Sequence, residues 1–165
     1  MKKLFVIRHA KSSWDLPELD DIERPLLPKG MKRTQRIVDY LNIRKIEFDV
    51  FISSPAVRAY ETAKIIAEGT GYNTNKIHID KNIYFGNSES YFNAIYELDE
   101  HIDKVVIFGH NPTITQFANY FLNDKIDYLP TSGVVGVEFL TNNWNSIPNC
   151  KWSPIEKVYP KMLKK

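Results

Sequence analysis

Cysteine is almost missing from this chain. Cys150 is the only one in 165 residues, which excludes an intramolecular disulfide and a thiolate metal cluster and makes a reducing, cytoplasmic location the expectation. Long apolar runs are missing too. Met1-Lys2-Lys3 is followed only by Leu4 to Ile7 before Arg8 and His9 intervene, far short of a signal-peptide core. Nothing approaches the roughly 20 residues that a bilayer-crossing helix needs, so no membrane partner is expected. There is little excess of either charge: Lys+Arg 22 against Asp+Glu 20 leaves +2. The broad basic surface of a nucleic-acid binder is therefore not expected, and any phosphate chemistry must come from a few placed cations. Fixed-period repeats, low-complexity tracts and massed Pro/Gly linkers are also absent. What remains is ordinary globular composition, 43% apolar and 25% charged, at the length of one domain on a prior of roughly 150 residues each.

Short apolar runs rich in β-branched and aromatic residues stand at Leu4 to Ile7, Phe48 to Ile52, Lys76 to Ile79, Val105 to Phe108 and Val134 to Leu140, and these predict strands. Helical spacing links Thr34, Ile37, Val38 and Leu41. It also links Ala56, Ala59, Tyr60, Ala63, Ile66 and Ala67, then Tyr91, Ile95, Leu98 and Ile102, then Ile114, Phe117, Ala118, Phe121 and Leu122. Each group is the apolar stripe of one helix. Ser54-Pro55 and Asn111-Pro112 read as a capping residue followed by proline at the first helical position, and Gly69 and Gly71 as stop signals. The alternation predicts a three-layer α/β/α sandwich around a mainly parallel central sheet, with the last strand as an antiparallel edge.

Polar residues gather where the strands end. Arg8-His9 follows the first strand, Ser53-Ser54-Pro55 with Arg58 the second, and Gly109-His110-Asn111 the fourth. The carboxyl ends of parallel strands share one edge, where ligands bind in open α/β sheets. Arg8, His9, Arg58 and His110 are thus expected in one crevice, with helix starts near Ser54 and Asn111 adding partial positive charge. A phosphoryl group is its natural guest, and Arg58 in a first helical turn can grip two oxygens at once. One histidine after a strand is more often a packing residue than a nucleophile. Core packing has no reason to produce all four residues together.

Other phosphate and hydrolytic machinery is missing. There is no Walker loop, and Thr74 stands where Gly69-Thr70-Gly71 would need a third dinucleotide-binding glycine. Glu156 occupies the place where a cysteine phosphatase would need arginine after Cys150. No Gly-x-Ser-x-Gly or His-Glu-x-x-His occurs, and His78 and His101 stand alone, so no metal site is expected.

Taken in order, these segments resemble the histidine phosphatase superfamily, related to phosphoglycerate mutases, and the SixA-type phosphohistidine phosphatases in particular. The residues that carry the resemblance are Leu4-Phe5-Val6-Ile7-Arg8-His9-Ala10-Lys11-Ser12-Ser13-Trp14, Asp21-Ile22-Glu23-Arg24-Pro25-Leu26 with Gly30, Ser53-Ser54-Pro55 through Arg58 to Glu61-Thr62-Ala63, and Gly109-His110-Asn111-Pro112. The resemblance implies a phosphoglycerate mutase-like fold and a single histidine phosphatase domain over residues 1–165. It also implies a phosphatase that needs no metal or other cofactor. His9 is then the nucleophile that is transiently phosphorylated, and Arg8, Arg58 and His110 bind the transferring group. Ser12 and Asn111 are second-rank phosphate contacts, or loop and cap residues only. Arg24 is structural or a rim contact within reach of Asp20, Asp21 and Glu23, and the acidic run Glu18 to Glu23 reads as a solvated loop.

The chain departs from the wider superfamily at Asn82-Ile83-Tyr84-Phe85-Gly86. Many members place an acid there to protonate the leaving oxygen; here Asp80 and Glu89 are the nearest substitutes. An alkoxide needs that proton, whereas a phosphorylated imidazole leaves from a weaker P–N bond, so the departure favours phosphohistidine in a protein over a small phosphate ester. Three readings stay open: a protein phosphohistidine phosphatase, a small-molecule phosphomonoesterase, and a catalytically silent phosphate-binding module. Nothing here assigns a role to the basic tail Lys161 to Lys165 beyond solvation.

Overall fold

A computed structural model describes residues 1–164. Lys165, the last residue of the expected domain and of the basic tail, lies outside the described residues. In chain order the elements are β1 (Lys2–Arg8), α1 (Pro28–Ile43), β2 (Val50–Ser53), α2 (Val57–Thr70), β3 (His78–Ile79), α3 (Lys81–Phe85), α4 (Ser88–Tyr96), β4 (Lys104–Gly109), α5 (Thr113–Asn119), β5 (Val134–Phe139) and β6 (Trp152–Val158). The strands form one sheet in the order β3-β2-β4-β1-β5-β6. β1, β2, β3 and β4 are parallel; β5 runs antiparallel to β1, and β6 antiparallel to β5.

The near-continuous apolar character of the inner strands follows from burial on both faces. Along β1, Leu4 and Val6 join one core cluster with Tyr91 and Ile95 of α4 and Ile114 and Phe117 of α5. Phe5 and Ile7 join the other with Ile37, Val38 and Leu41 of α1 and Ala63, Ile66 and Ala67 of α2. This is the expected α/β/α sandwich with a mainly parallel sheet, α1 and α2 packed on one face and α4 and α5, with the short α3, on the other. Each such buried aliphatic or aromatic side chain stabilises the fold by about 1.5–3 kcal/mol relative to exposure.

Several local expectations are corrected. β5 is antiparallel, but it lies inside the sheet, and β6 takes the edge. β6 gave no strand signal because Pro154 interrupts its ladder and its apolar residues do not alternate cleanly; an edge strand with a register shift opposite Gly136/Val137 tolerates that proline. The third strand shrinks to His78–Ile79, and the third helical stripe stops at Tyr96, with Leu98 and Ile102 packing on the core from outside the helix. Only Gly71 caps α2, in the left-handed conformation at φ 81°, while Gly69 stays within the helix. Neither Ser-Pro nor Asn-Pro opens its helix: the N-cap positions are Ala56 and Pro112. The hydroxyl and amide that were to cap are committed to other partners at the site.

Helix α1 starts with Pro28 at its first position and runs beneath the β1–α1 loop, where a Cβ on Gly30 would stand 2.4 Å from the Lys11 carbonyl oxygen and 3.0 Å from its nitrogen. In an open helix Gly→Ala gains about 1 kcal/mol. Here the obstacle is backbone, and the overpacking cost of about 1–3 kcal/mol should win. Gly30→Ala is expected to lower the urea midpoint; an unchanged or raised midpoint would contradict this close approach.

Candidate active site

The carboxyl ends of β1, β2 and β4 open into one cleft of about 540 Å³ whose walls include Arg8, His9, Ser12, Asp21, Arg24, Arg58, His110 and Asn111. Parallel pairing sets Arg8 beside Gly109 and Ser53 beside Phe108, so the residues following each strand emerge side by side. The His9 and His110 rings lie 5.3 Å apart between centroids. All six residues expected at the site line this cleft.

His9 is 7% exposed, and its Nδ1 lies 2.7 Å from the Ala10 carbonyl oxygen. A carbonyl can only accept, so Nδ1 carries the proton and Nε2 keeps its lone pair. Burial, reinforced by His110, Arg8 and Arg58 and opposed by the Ala10 bond, pushes the His9 pKa down to about 3. Burial and Arg58, opposed by Asp21, push His110 down to about 4. Both imidazoles are therefore neutral near pH 7, and the positive charge of the cleft comes from its arginines and Lys11.

His110 is held from two sides. Its Nε2 is 2.7 Å from Ser54 Oγ, which also accepts the Ala56 N–H at 3.1 Å; Ser54 thus orients the second histidine instead of capping α2. The His110 backbone N–H donates to the Tyr91 hydroxyl at 3.2 Å. That phenol presses so close that a Cβ on Gly109 would come within 2.0 Å of it, which is why glycine precedes the histidine. Asn111 donates from Nδ2 to the Leu129 carbonyl at 3.1 Å and accepts from the Thr115 hydroxyl, so its side chain braces the neighbouring loop. The Ile114 amide at the start of α5 is taken by the His110 carbonyl at 2.7 Å.

The arginines have distinct settings. Arg8 donates from Nη1 to the Leu129 carbonyl at 3.1 Å. Arg58 is 5% exposed and donates to the Asp21 carbonyl at 2.7 Å and to Asp21 Oδ2 at 3.0 Å. Arg8 Nε, Arg58 Nε and His110 Nδ1 are buried without a hydrogen-bond partner among the described residues. Unsatisfied buried polar atoms of this kind are rare and point to a ligand. Arg24, 8% exposed, lies 3.5 Å beneath the Trp14 ring centroid and donates to Ser12 Oγ and the Ser13 carbonyl. It is a structural clamp for the β1–α1 loop, and Ser12 is engaged by it.

Asp21 pairs with Arg24, as the sequence allowed, but its bonds to Arg58 and Tyr84 were missed. It is exposed, as expected of a solvated loop, yet it binds Arg58, receives Arg24 Nε at 3.0 Å, and accepts the Tyr84 hydroxyl at 2.6 Å. Those bonds, Tyr84 foremost, hold its carboxyl well below the usual carboxylate range. It is the only carboxylate lining the cleft among the described residues. Asp80 and Glu89, by contrast, sit at the starts of α3 and α4 and do not line it. Among the described residues no group of three or more His, Cys, Asp or Glu is placed to hold a metal ion, and no helix is long and apolar enough to cross a membrane.

Residues 4–101 match the family model of the histidine phosphatase superfamily (branch 1); the match stops short of β4 and His110. A SixA chain of Agrobacterium tumefaciens, a candidate phosphohistidine phosphatase, superposes with TM-score 0.80 at 24% identity over 96% of this chain and 98% of its own. The protein histidine phosphatase SixA in complex with tungstate gives 0.79 at 19% over 98% and 99%. A mycobacterial glucosyl-3-phosphoglycerate phosphatase gives 0.68 at 13% over 94% and 97%. At these identities the likenesses establish the fold, which is phosphoglycerate mutase-like as in SixA.

The His9 geometry has a pH signature. A base whose folded pKa lies below its unfolded 6.5 binds its proton more readily unfolded, so stability is lost as pH falls from about 6.5 toward 3. In ¹⁵N NMR of the free protein at pH 5.5, His9 should show a protonated Nδ1 and a bare Nε2. A titration midpoint near 6.5, or the opposite tautomer, would contradict the arrangement.

Proposed function

The chain belongs to the histidine phosphatase superfamily and is a phosphatase, and from that premise we propose that it works through a covalent phosphohistidine on His9 and acts on phosphohistidine in proteins. The observation that carries this reading is the His9 imidazole: neutral, with Nδ1 committed to the Ala10 carbonyl and Nε2 free, inside a cleft walled by Arg8, Arg58 and His110. In the first step Nε2 donates its lone pair to phosphorus as the bond to the substrate nitrogen breaks, and the departing imidazole takes up a proton from solvent. In the second, water attacks the phosphorus of phospho-His9, losing a proton as the P–N bond breaks and phosphate leaves. Splitting the displacement replaces one difficult step with two easier ones. Arg8, Arg58 and His110 stabilise the charge on the transferring oxygens, which is most of what phosphoryl transfer requires. Ser12 and the Asn111 backbone are further contacts for those oxygens.

The electrostatics favour a P–N over a P–O substrate. The one carboxylate in the cleft, Asp21, is bonded to two arginines and a tyrosine and is held ionised, so it has no proton to give an alkoxide. Burial and the Asp21 bond raise the Tyr84 phenol above its ordinary value, making it a poor acid as well. A small-molecule phosphomonoesterase would need such a donor. A silent binding module would have no use for the free imidazole nitrogen.

Three measurements test this. Enzyme quenched during turnover with ³²P-labelled substrate should retain label that is stable in alkali and lost in acid, and His9→Ala should remove both label and turnover. An acid-stable adduct, or turnover surviving in His9→Ala, would sink the covalent mechanism. Arg58→Ala should lower kcat/KM by about 10²–10³. A phosphohistidine peptide should be turned over faster than an aryl phosphate, and the reverse order would favour the phosphomonoesterase.

A further inference from the structure

The Arg33 and Thr131 side of the phosphoryl cleft continues into a second cleft of about 370 Å³, which shares those two residues and is lined by Arg36, Lys161 and Lys164 as well as Tyr128. Arg33 and Arg36 stand three apart on α1, hence on one helix face. The tail is not merely solvated: Pro160 is buried and Leu163 packs on the α1–α2 core, which fixes Lys161 and Lys164 against the same face. Among the described residues no carboxylate lines this second cleft, and none of its four cations forms an ion pair. Lys29 and Arg33 also crowd Lys11 at the junction, closely enough to push its ammonium pKa down.

This gathering of like charge is not a reflection of composition. Among the described residues eight Lys and Arg side chains line the two clefts against the single carboxylate of Asp21, in a chain whose net charge is only +2. Cations packed without partners repel one another and cost stability, and a cleft lined by one sign focuses the field on an incoming anion. A phosphoryl group alone is already served by Arg8 and Arg58. The second cleft offers its charge to an anionic group other than the phosphoryl itself.

We propose that the Arg33–Arg36–Lys161–Lys164 cleft is a second anion-binding subsite that receives acidic residues flanking the phosphohistidine of a protein substrate. This rests on the phosphohistidine reading of the adjoining pocket. The subsite acts on encounter and KM, not on the chemical step, because none of the groups unique to it lines the phosphoryl cleft.

The test uses two phosphohistidine peptides, one with Asp and Glu on both sides of the phosphohistidine and one with Asn and Gln in their place, plus para-nitrophenyl phosphate as a substrate without flanks. The wild-type protein should favour the acidic peptide about tenfold in kcat/KM at low salt, through KM, and lose that preference as ionic strength rises. The double variant Arg36→Glu/Lys161→Glu should lose the preference while its turnover of the neutral peptide and aryl phosphate is unchanged, which also reports that it is folded. Arg36→Gln/Lys161→Gln should show an intermediate loss. Equal turnover of both peptides by the wild type, or a preference that survives charge reversal, overturns the subsite alone. Turnover of the aryl phosphate with neither peptide cleaved overturns the phosphohistidine reading and the subsite with it.

Discussion

Like charges resist being brought together, and this fold brings them together on purpose at the carboxyl edge of its parallel strands. Arg8 is delivered from the end of β1, Arg58 from the first turn of α2, and Arg24 from a loop, into a cleft where burial strips away most of the water that would screen them. The histidines respond by staying neutral. One carboxylate, Asp21, bridges Arg24 and Arg58 and offsets part of the repulsion without closing the cleft to an anion. The double-sided core holds this arrangement in place: with helices packed on both faces of the sheet, the strand ends have little freedom to splay apart.

That bridge also explains how one pocket can hold a free imidazole nitrogen and lack an acid. A carboxylate that anchors two guanidiniums is tied to its ionised form, so the group that organises the arginines is removed from proton transfer by the same bonds. Tyr84 completes the anchor from the end of α3, in the stretch where the sequence departs from the wider family. Its ring also meets His110 edge-on at 5.5 Å between centroids. Under the proposed mechanism acid chemistry is exchanged for positional order, which suits a leaving group that departs readily on its own.

The four principal residues were legible because their signal is local: a strand pattern fixes where a strand ends, and Arg8-His9, Arg58 and Gly109-His110 stand at or just beyond such ends. The Asp21–Arg58 bond was not legible because the two residues are 37 positions apart, and within an acidic run nothing distinguishes the one carboxylate that reaches the distant arginine. The roles of Ser54 and Asn111 were misread for a related reason. Both are good capping residues by type, yet tertiary partners, the His110 ring and the Leu129 carbonyl, outcompete the helix start. The sixth strand escaped notice because an edge position, paired on one side only, asks so little of its sequence that Pro154 is accommodated.

The strand order has a consequence for how the molecule comes into being. β4 lies between β1 and β2, so the two amino-terminal strands never pair, and β1, which leads into His9, has no strand partner until more than a hundred residues exist. A ribosome-bound chain that has made β1, β2 and their helices carries Arg8 at the end of one strand and Arg58 in the helix after another, with the two strands not yet joined. Insertion of a late strand between two early ones makes the pocket appear all at once, at the expense of slow, long-range pairing. An unfinished or truncated polypeptide is thereby denied a partly formed, indiscriminate phosphatase.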